Sequence, residues 1–498
     1  MTSPMQGARR QSLALLLISF AQFMVVLDFS IVNVALPSIQ KDLGFSTQNL
    51  QWVISAYALT LGGLLLLGGR LADLYGQRRI FSIGLILFSL ASFAGGLALS
   101  STFLILARVI QGIGAALLAP AALSLIATTF VEGEPRNKAF GFVNAVASAG
   151  FAAGAIFGGL LTAGPGWRWV MFVNAPLGIA TLILTPFVLQ ESRVHTEQQR
   201  IDVLGALTVT GGLVALVYAL SQGNDVGWLS LQTVGVFACA IVLLATFVGI
   251  EKRSPSPLVR LAIFRQRNVT GANIVNALAT GSFDTLVFIL TLYMQSVLGY
   301  SALETGLAFL PMAILLLIAS NIVAQIVTRV GVRPLLIGGV ITLIVGLLLL
   351  TGLTTNGTYV QSLLPGIIVV SLGMGPTFSM ILIAATAGVS DNEQGLASGL
   401  FNTTEQIGAA IVLAIAVAAS SSRTAALFQQ GEQNGKAASA GGLQYAVIAC
   451  VVSVLLSLLI VIVVMREKKR TSASREPADA LVDVKTDVMQ PLASTECL

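Results

Sequence analysis

The sequence predicts an all-α polytopic membrane protein, because of its composition, its mean hydropathy and the recurrence of long apolar segments. Hydrophobic residues make up 55% of the 498 positions and charged residues 10%, whereas soluble domains carry about 25% charged residues. The mean hydropathy is +0.88. A hydrocarbon core of about 30 Å is crossed by roughly 20 helical residues. Since backbone groups in lipid must be paired within the segment, apolar segments of this length are predicted to be transmembrane helices.

Fourteen segments meet this length. The first follows a basic N-terminus, as in a signal peptide, but its apolar run exceeds the about 7–15 residues of a cleaved h-region. We therefore predict that it is retained as a helix. The predicted spans are residues 13–36, 50–69, 80–99, 103–127, 139–161, 169–189, 204–221, 231–250, 269–294, 305–327, 334–353, 361–388, 398–420 and 443–465.

Lysine and arginine residues are distributed unequally between the two predicted faces of the membrane. Placing both termini in the cytoplasm puts 22 basic residues on the inner side and 4 on the outer side, with Arg108 inside a span. Cytoplasmic loops of membrane proteins are enriched in basic residues. This asymmetry predicts a multi-pass protein of the cytoplasmic membrane with both termini inside the cell.

Two short landmarks recur at one offset and indicate an internal repeat. LGFS at 43–46 returns as LGYS at 298–301, and the same offset relates the turn at Gly76 and Arg78 to Gly331 and Arg333. Parallel repeats of six-helix units are typical of transporters. We predict an N-terminal six-helix bundle (1–190), two additional helices with linkers (191–267), a C-terminal six-helix bundle (268–465) and a cytoplasmic disordered tail (466–498).

Composition and motif content exclude several classes of function. The net charge of +5 comes from residues spread between apolar runs, so nucleic acid is not an expected partner. One histidine and three cysteines argue against a metal site and a disulfide framework. The sequence contains no phosphate-binding loop, nucleophile elbow, H-E-x-x-H or C-x-x-C motif. We expect a monomer in the lipid bilayer, with no cofactor, no metal and no enzymatic activity.

A charged, glycine-rich turn separates the second and third predicted spans. The stretch GGRLADLYGQRR occupies residues 68–79, and its arginines fit a topology anchor. An anchor does not explain Asp73, a carboxylate at a helix end that is suited to pair with a basic loop residue or a helix N-terminus. Such a contact would hold one conformation closed. With a mere anchor as the alternative, we predict a cytoplasmic gate built from Gly69, Asp73, Gly76, Arg78 and Arg79.

This turn is similar to the G-x-L-A-D-x-x-G-R-R/K loop of the major facilitator superfamily, and further motifs follow in matching order. The resemblance extends to the fourteen-helix drug:proton antiporter branch of that family. It implies two six-helix bundles facing across a central cavity, with two extra helices between them. The companion motifs are LDFSIVNVALP (27–37), LARVIQGIGAA (106–116), GFAAGAIFGG (150–159), QSVLGYSALETGLAFLP (295–311) and GLASGLFNTTEQIG (395–408).

The chain departs from the branch at two positions. The fifth-helix motif G-x-x-x-G-P-x-x-G-G has Ala155 in place of its proline, and Glu405 stands where relatives commonly carry a basic residue. Glycines on one helix allow close approach of a neighbouring helix, so close packing is expected even without the proline kink. The resemblance assigns the helix-packing and antiport motif to Gly150, Gly154, Gly158 and Gly159.

Two ionisable residues in the first bundle fall inside predicted spans, where charge is costly and usually functional. By helical rise, Asp28 and Arg108 lie at comparable depth, so a direct or water-bridged pair is expected. The resemblance implies that Arg108 takes part in proton coupling. Alternatively, Arg108 extends to the outer interface, and Asp28 is only a structural partner of the fourth helix.

Two acids in the second bundle also fall inside spans, Asp284 in the ninth and Glu405 in the thirteenth. Loss of solvation favours the protonated form of a carboxyl group, so either acid is suited to exchange protons or, when ionised, to attract a cation. As an alternative, each acid faces a water-filled cavity without a specific role. The predicted proton-coupling residues are Asp28, Arg108, Asp284 and Glu405.

The predicted function is export of hydrophobic or cationic drugs or antibiotics by alternating access, in exchange for protons. The expected partners are therefore protons and a small hydrophobic or cationic molecule. A dedicated exporter of one endogenous metabolite, antibiotic or lipid is the alternative. A membrane-embedded transferase or sensor is a more distant alternative, and the sequence lacks acidic metal-binding pairs such as D-D-x-x-D. The predicted substrate cavity contains Asp28, Gln111, Asn402 and Glu405.

Overall fold

The structure is a computed structural model that describes residues 4–131, 133–191, 202–255, 257–387, 389 and 394–465. Fourteen helices in this part of the chain are long and apolar enough to cross a membrane, which confirms the predicted all-α polytopic architecture. The predicted tail at 466–498 lies outside the described residues. The helices are α1 Arg10–Leu43, α2 Thr47–Tyr75, α3 Gln77–Gly96, α4 Ser101–Thr129, α5 Glu134–Ala163, α6 Arg168–Val188, α7 Val203–Val226, α8 Leu231–Arg253, α9 Arg267–Val297, α10 Ala302–Val330, α11 Val332–Leu349, α12 Tyr359–Thr386, α13 Gly395–Gln429 and α14 Gly435–Val463.

Several helices extend beyond the predicted apolar spans. The final helix begins at Gly435 rather than at 443, because the Asn434 side chain accepts hydrogen bonds from the backbone N–H groups of Lys436 and Ala437. A side chain at this position satisfies N–H groups that have no partner within the helix. Hydropathy marks the lipid-facing length of a helix, whereas capping residues mark where it starts.

The internal repeat is visible in the backbone of its turns. Gly44 and Gly299 have φ values of 68° and 80°, and the serine after each turn caps the following helix. Gly76 and Gly331, which join α2 to α3 and α10 to α11, have φ values of 106° and 92°. Residues other than glycine are strained at such φ angles. The two sets of helices therefore begin with the same pair of glycine-dependent turns.

The first six helices pack mainly among themselves, as do the last six. In the first set, α1 packs on α5, α4 on both α2 and α3, and α6 on α1 and α3. In the second set, α9 packs on α13, α12 on both α10 and α11, and α14 on α11 and α13. One apolar core lies entirely within the first set, near the end of the bundle at which α1 begins. We call this end the amino-terminal end.

At the opposite end, the two sets share one apolar core. This core joins residues of α1 between Ile31 and Ile39 to residues of α9 through α14. The Gln295 side chain on α9 donates to the Val34 carbonyl of α1 at 2.8 Å. Gly159 on α5 lies against Ala302 on α10. The sets are thus packed together at the end away from the α2–α3 turn.

The two additional helices lie beside the contact between α2 and α13. Helix α7 packs on both of these helices, whereas α8 packs on α7. Polar contacts fix α7 near its C-terminal end: Gln51 donates to Ser221 at 2.8 Å, and Asn224 donates to the Ala418 carbonyl at 2.5 Å. Helix α7 is therefore a bridge between the two sets of six helices.

Candidate functional site

A buried ion pair joins α1 to α4 in the interior of the first six helices. Arg108 Nη1 lies 2.5 Å from Asp28 Oδ2, and the side chains are 1% and 0% exposed. Gln111 Nε2 donates to the other carboxylate oxygen of Asp28 at 2.8 Å. The positions 108 and 111 lie three apart on α4 and therefore on one face of the helix. The structure shows the expected pair of Asp28 and Arg108 in direct contact and adds Gln111, which the sequence had placed with Asp28 in the substrate cavity.

The remaining contacts of Arg108 hold its guanidinium inside the protein. Arg108 donates to the Val53 carbonyl at 2.8 Å and to Gln111 Oε1 at 2.8 Å, and its guanidinium carbon lies 4.3 Å from the centre of the Tyr57 ring. Stacking of arginine on an aromatic face is favourable when both groups are desolvated. With 1% of its surface exposed, Arg108 does not extend to a membrane interface, which rules out that alternative here.

Sequence reasoning missed the contribution of α6 to this site. Asn174 on α6 is fully buried, and its amide nitrogen donates to Asp28 Oδ1 at 2.8 Å and to Ser92 Oγ at 3.1 Å. Ser92 on α3 in turn donates to the Met171 carbonyl at 2.8 Å. A polar residue within the apolar run of α6 was the available signal, because buried polar groups need hydrogen-bond partners.

Asp28 and Gln111 are expected to line a substrate cavity, but in the structure both are enclosed by protein. Both side chains have no exposed surface, and their polar atoms contact one another and Arg108. A buried charge is stable only when it is paired and hydrogen-bonded, and these donors satisfy the carboxylate. In this conformation the two residues belong to a closed polar network rather than to an open surface.

The second polar region lies between α9 and α13. Asp284 and Glu405 are both half-buried and lie within electrostatic range of each other. Asn402, one turn before Glu405, is also half-buried. Unlike Asp28, neither carboxylate forms an ion pair with any residue that the structure describes. The structure therefore places one acid pair without a fixed cation in the second set of helices.

The backbone of α9 is wound more widely just before Asp284. Residues Asn276–Thr280 form a π-helical turn, a feature that is frequent at functional sites. The Asn276 side chain donates to the Phe401 carbonyl of α13 at 2.8 Å. One turn later, Gly281 faces Gly408 so closely that an added Cβ would lie 2.6 Å from the Gly408 carbonyl carbon. Small residues thus bring the helices that carry Asp284 and Glu405 into direct contact.

The α2–α3 turn is fastened to the end of α6 by an acid outside the predicted gate. Glu191 lies 3.7 Å from Arg78 Nε and 3.8 Å from Arg79 Nε, and it accepts the backbone N–H of Arg78 at 3.2 Å. A side chain on Gly76 would collide with the same carboxylate. The glycine and both arginines therefore form one contact with Glu191, a residue that no sequence pattern had singled out.

Two other predicted gate residues behave differently. Asp73 is half-buried and forms no hydrogen bond or ion pair with any described residue: Arg78 and Arg79 are directed to Glu191, and Arg70 lies within electrostatic range of Asp73 without a hydrogen bond to it. A Cβ added at Gly69 would lie 3.6 Å from Pro120 Cβ, an ordinary van der Waals distance. Its neighbour Gly68 is the position where a side chain would overlap the backbone of α4 at Ala116. The tight contact of α2 with α4 thus depends on Gly68.

We expect Glu191→Gln to shift the conformational balance away from the arrangement seen here by about 1.5- to fivefold, since partly exposed ion pairs contribute about 0.2–1 kcal/mol. The rate at which a membrane-impermeant maleimide labels Tyr75→Cys, in a variant without the native cysteines, measures this shift. Glu134→Gln is the control, because its pair with Lys138 at 2.7 Å is exposed on α5. Equal labelling rates in all three proteins would contradict a latch at Glu191.

The fifth-helix glycines face two different helices. Gly150, Gly154 and Gly158 lie against the α1 backbone, with an added Cβ 3.0, 2.9 and 2.8 Å from carbonyl oxygens of Phe23, Leu27 and Ile31, respectively. Gly159 faces α10, where an added Cβ would lie 2.8 Å from the Ala302 carbonyl oxygen. Ala155, at the position of the family's proline, lies against Gly306 of the same helix α10.

Gly154→Val should lower the thermal stability of the purified protein by about 1–3 kcal/mol, the usual cost of overpacking. The new side chain would meet Ser30 Cβ at 2.6 Å and the Leu27 carbonyl at 2.9 Å. Gly141→Val is the matched control on the same helix, since nothing lies within 4 Å of a Cβ added there. If both variants unfold at the same temperature, the α1–α5 contact is not as close as described.

Comparison with known proteins gives a consistent family and fold. Residues 18–413 match the family described as Major Facilitator Superfamily. The chain is 41% identical over 404 residues to the puromycin resistance protein pur8 of Streptomyces alboniger, covering 80% of each. It is 40% identical to the cephamycin export protein CmcT of Amycolatopsis lactamdurans, covering 81% and 83%. Identity to the multidrug resistance protein Stp of Mycobacterium tuberculosis is 35%, covering 82% and 75%.

Solved structures share the fold at low sequence identity. An auto-inhibited POT family peptide transporter aligns with a TM-score of 0.67 and 13% identity, covering 93% of this chain and 99% of that one. A bacterial homolog to the human lysosomal transporter Spinster aligns with a TM-score of 0.64 and 17% identity, covering 93% and 97%. At these identities the likeness establishes the arrangement of helices and nothing about cargo.

Proposed function

Since this chain belongs to the Major Facilitator Superfamily, we propose that it exports hydrophobic or cationic drugs or antibiotics across the cytoplasmic membrane in exchange for protons. As a member of that family it is a multi-pass membrane transporter rather than an enzyme. Relatives named for puromycin resistance, cephamycin export and multidrug resistance support export of such compounds. The 22-to-4 distribution of basic residues supports cytoplasmic termini.

The observation that carries the proposal is the division of ionisable groups between the two sets of helices. The first set contains a sealed pair, Asp28 with Arg108, at 2.5 Å. The second contains Asp284 and Glu405, which have no ion-pair partner within the described ranges. Protonation of a paired acid removes the negative charge that balances its partner, so proton uptake changes the interaction between the two residues. An ionised acid without a partner instead attracts a cation. We assign proton coupling to the first site and cation attraction to the second.

Alternating access supplies the link between the two sites. The sets of helices share a core at the end opposite the α2–α3 turn and are joined there by Gln295 and Val34. Opening toward that side requires this packing to separate while the other end closes. The predicted bundles, 1–190 and 268–465, are the units proposed to rock, and the contact of Glu191 with Arg78 and Arg79 is proposed to respond to that motion.

The electrical gradient is sufficient for useful accumulation. One proton entering down a potential of 100 mV releases about 2.3 kcal/mol. At about 1.4 kcal/mol per decade, this supports a gradient of a few tens-fold for a neutral compound. Exchange with protons thus gives export without a nucleotide-binding site.

Everted membrane vesicles test the proposal. Vesicles that contain the protein should accumulate a fluorescent cationic drug when respiration builds a proton gradient, and an uncoupler should abolish the accumulation. An external pH indicator should show protons leaving the vesicle as the drug enters. Accumulation that survives the uncoupler, or drug entry without proton movement, would contradict proton exchange and leave only the family assignment.

A dedicated exporter of one antibiotic is the second candidate, favoured by the names of the puromycin and cephamycin relatives. Expression in a drug-sensitive host separates it from a broad-range exporter. Resistance to one structural class alone supports the dedicated function, whereas resistance to unrelated cationic and neutral compounds supports the broad one.

A further inference from the structure

A buried asparagine beside the Asp28 carboxylate leaves one of its polar atoms unused. The amide nitrogen of Asn174 donates to Asp28 Oδ1 at 2.8 Å and to Ser92 Oγ at 3.1 Å. The amide oxygen of the same side chain is buried and accepts no hydrogen bond from any described residue. The Ser92 hydroxyl donates to the Met171 carbonyl instead. A buried acceptor left unpaired in this way requires an explanation.

The three described side chains that form hydrogen bonds with the Asp28 carboxylate all do so as donors. Arg108, Gln111 and Asn174 approach its two oxygens through N–H groups. This arrangement suits an ionised carboxylate, which only accepts hydrogen bonds. A protonated Asp28 carries an O–H group and needs an acceptor in its place. The N–H groups that now face the carboxylate cannot accept a hydrogen bond from the neutral acid.

Two of these neighbours have side-chain oxygens, and one of the two is already engaged. Gln111 Oε1 accepts from Arg108 at 2.8 Å, whereas Asn174 Oδ1 accepts from no described residue. An asparagine amide presents donors on one side and an acceptor on the other. A half-turn of the Asn174 amide therefore places an acceptor where its donor now lies.

We propose that Asn174 is a positioning residue that stabilises Asp28 in both of its protonation states. It donates to the carboxylate in the ionised state and, after the half-turn, accepts the O–H of the carboxylic acid. A hydronium ion transfers one proton to a carboxylate oxygen and leaves as water, so that one O–H bond forms on Asp28, one breaks on the donor, and the negative charge of the carboxylate is lost. The inference rests on the proposed function, in which Asp28 takes up a proton during transport.

Infrared difference spectroscopy of the full chain in proteoliposomes, between acidic and neutral buffer, tests this role. The carbonyl stretch of protonated Asp28 is the band that disappears in Asp28→Asn. In the wild type this band should lie at the lower frequency of a hydrogen-bonded acid. In Asn174→Leu, which keeps the branched side-chain shape and removes both polar atoms, it should move to the higher frequency of a free acid, and drug–proton exchange should fall about tenfold or more.

Two further variants separate the role from simple packing. Ser92→Ala removes a contact of Asn174 without touching Asp28, and should leave the band in place. Asn174→Thr keeps a hydroxyl that can both donate and accept, and should retain the lower frequency and part of the exchange rate, even if Asn174→Leu does not accumulate. If the band is unchanged in Asn174→Leu, or moves to the higher frequency in Asn174→Thr, the role proposed for Asn174 is wrong, while the proton site at Asp28 is unaffected. A wild type without an Asp28 band overturns the proposed proton site as well.

Discussion

We expect Asp28→Asn to abolish transport and to destabilise the protein, while the chain still inserts with its normal topology. The substitution leaves Arg108 charged and 1% exposed, without a counter-ion. Breaking a buried ion pair by removing one partner costs about 3–5 kcal/mol, because the remaining charge is uncompensated. Thermal unfolding of the purified variant measures the loss, and the vesicle assay measures transport.

The double variant Asp28→Asn/Arg108→Gln provides the control. Removing both charges eliminates the uncompensated cation, so the double variant should regain a large part of the stability lost in Asp28→Asn and in Arg108→Gln. Transport should remain absent in all three variants, since none retains the acid with its partner. Additive losses of stability would show that the two residues do not form the pair, and export by Asp28→Asn would remove this residue from the mechanism.

The second large effect is expected at Glu405. Glu405→Gln should reduce export of a permanently charged quaternary ammonium dye by about tenfold or more, which corresponds to about 1.4 kcal/mol. Export of an uncharged analogue of the same shape should change little, because only the charged dye is attracted by an ionised carboxylate. Initial rates in everted vesicles, compared for the two dyes, measure this selectivity.

Acidification offers an independent check on the same residue. Protons and a cation compete for one carboxylate, so lowering the pH on the cytoplasmic side should weaken binding of the charged dye in the wild type but not in Glu405→Gln. Asp225→Asn, at an exposed position near the end of α7, is the matched control and should behave as the wild type. Equal effects of Glu405→Gln on both dyes would exclude a role in charge recognition.

Sequence reasoning succeeded where the physical signal is local. Apolar length predicts the fourteen helices, and glycine-dependent turns predict the repeat that Gly76 and Gly331 share. Helical rise also indicated that Asp28 and Arg108 lie at similar depth, and the structure adds that they are in direct contact. Each of these inferences needs only distances along one helix or one turn.

The residues that were missed depend on contacts between distant parts of the chain. Asn174 and Glu191 are single polar positions without a spacing rule, and only packing brings them to Asp28 and to the α2–α3 turn. Asp73 shows the converse: Arg78 and Arg79 are near it in the sequence but contact Glu191 instead, and Arg70 is the arginine that lies within electrostatic range of it. A charge pattern shows which partners are available, and the fold determines which of them is used.

The donors around Asp28 also set a requirement on biogenesis. A ribosome makes the chain from its amino terminus, so α1 is complete before the residues that neutralise its acid exist. Arg108 follows 80 residues later and Asn174 follows 146 residues later. A nascent α1 released early into lipid would carry a solitary carboxylate. The cost of placing this carboxylate in an apolar interior is thus offset only after the fourth helix has been made, so the stability of the first helix in the folded protein depends on segments synthesised later.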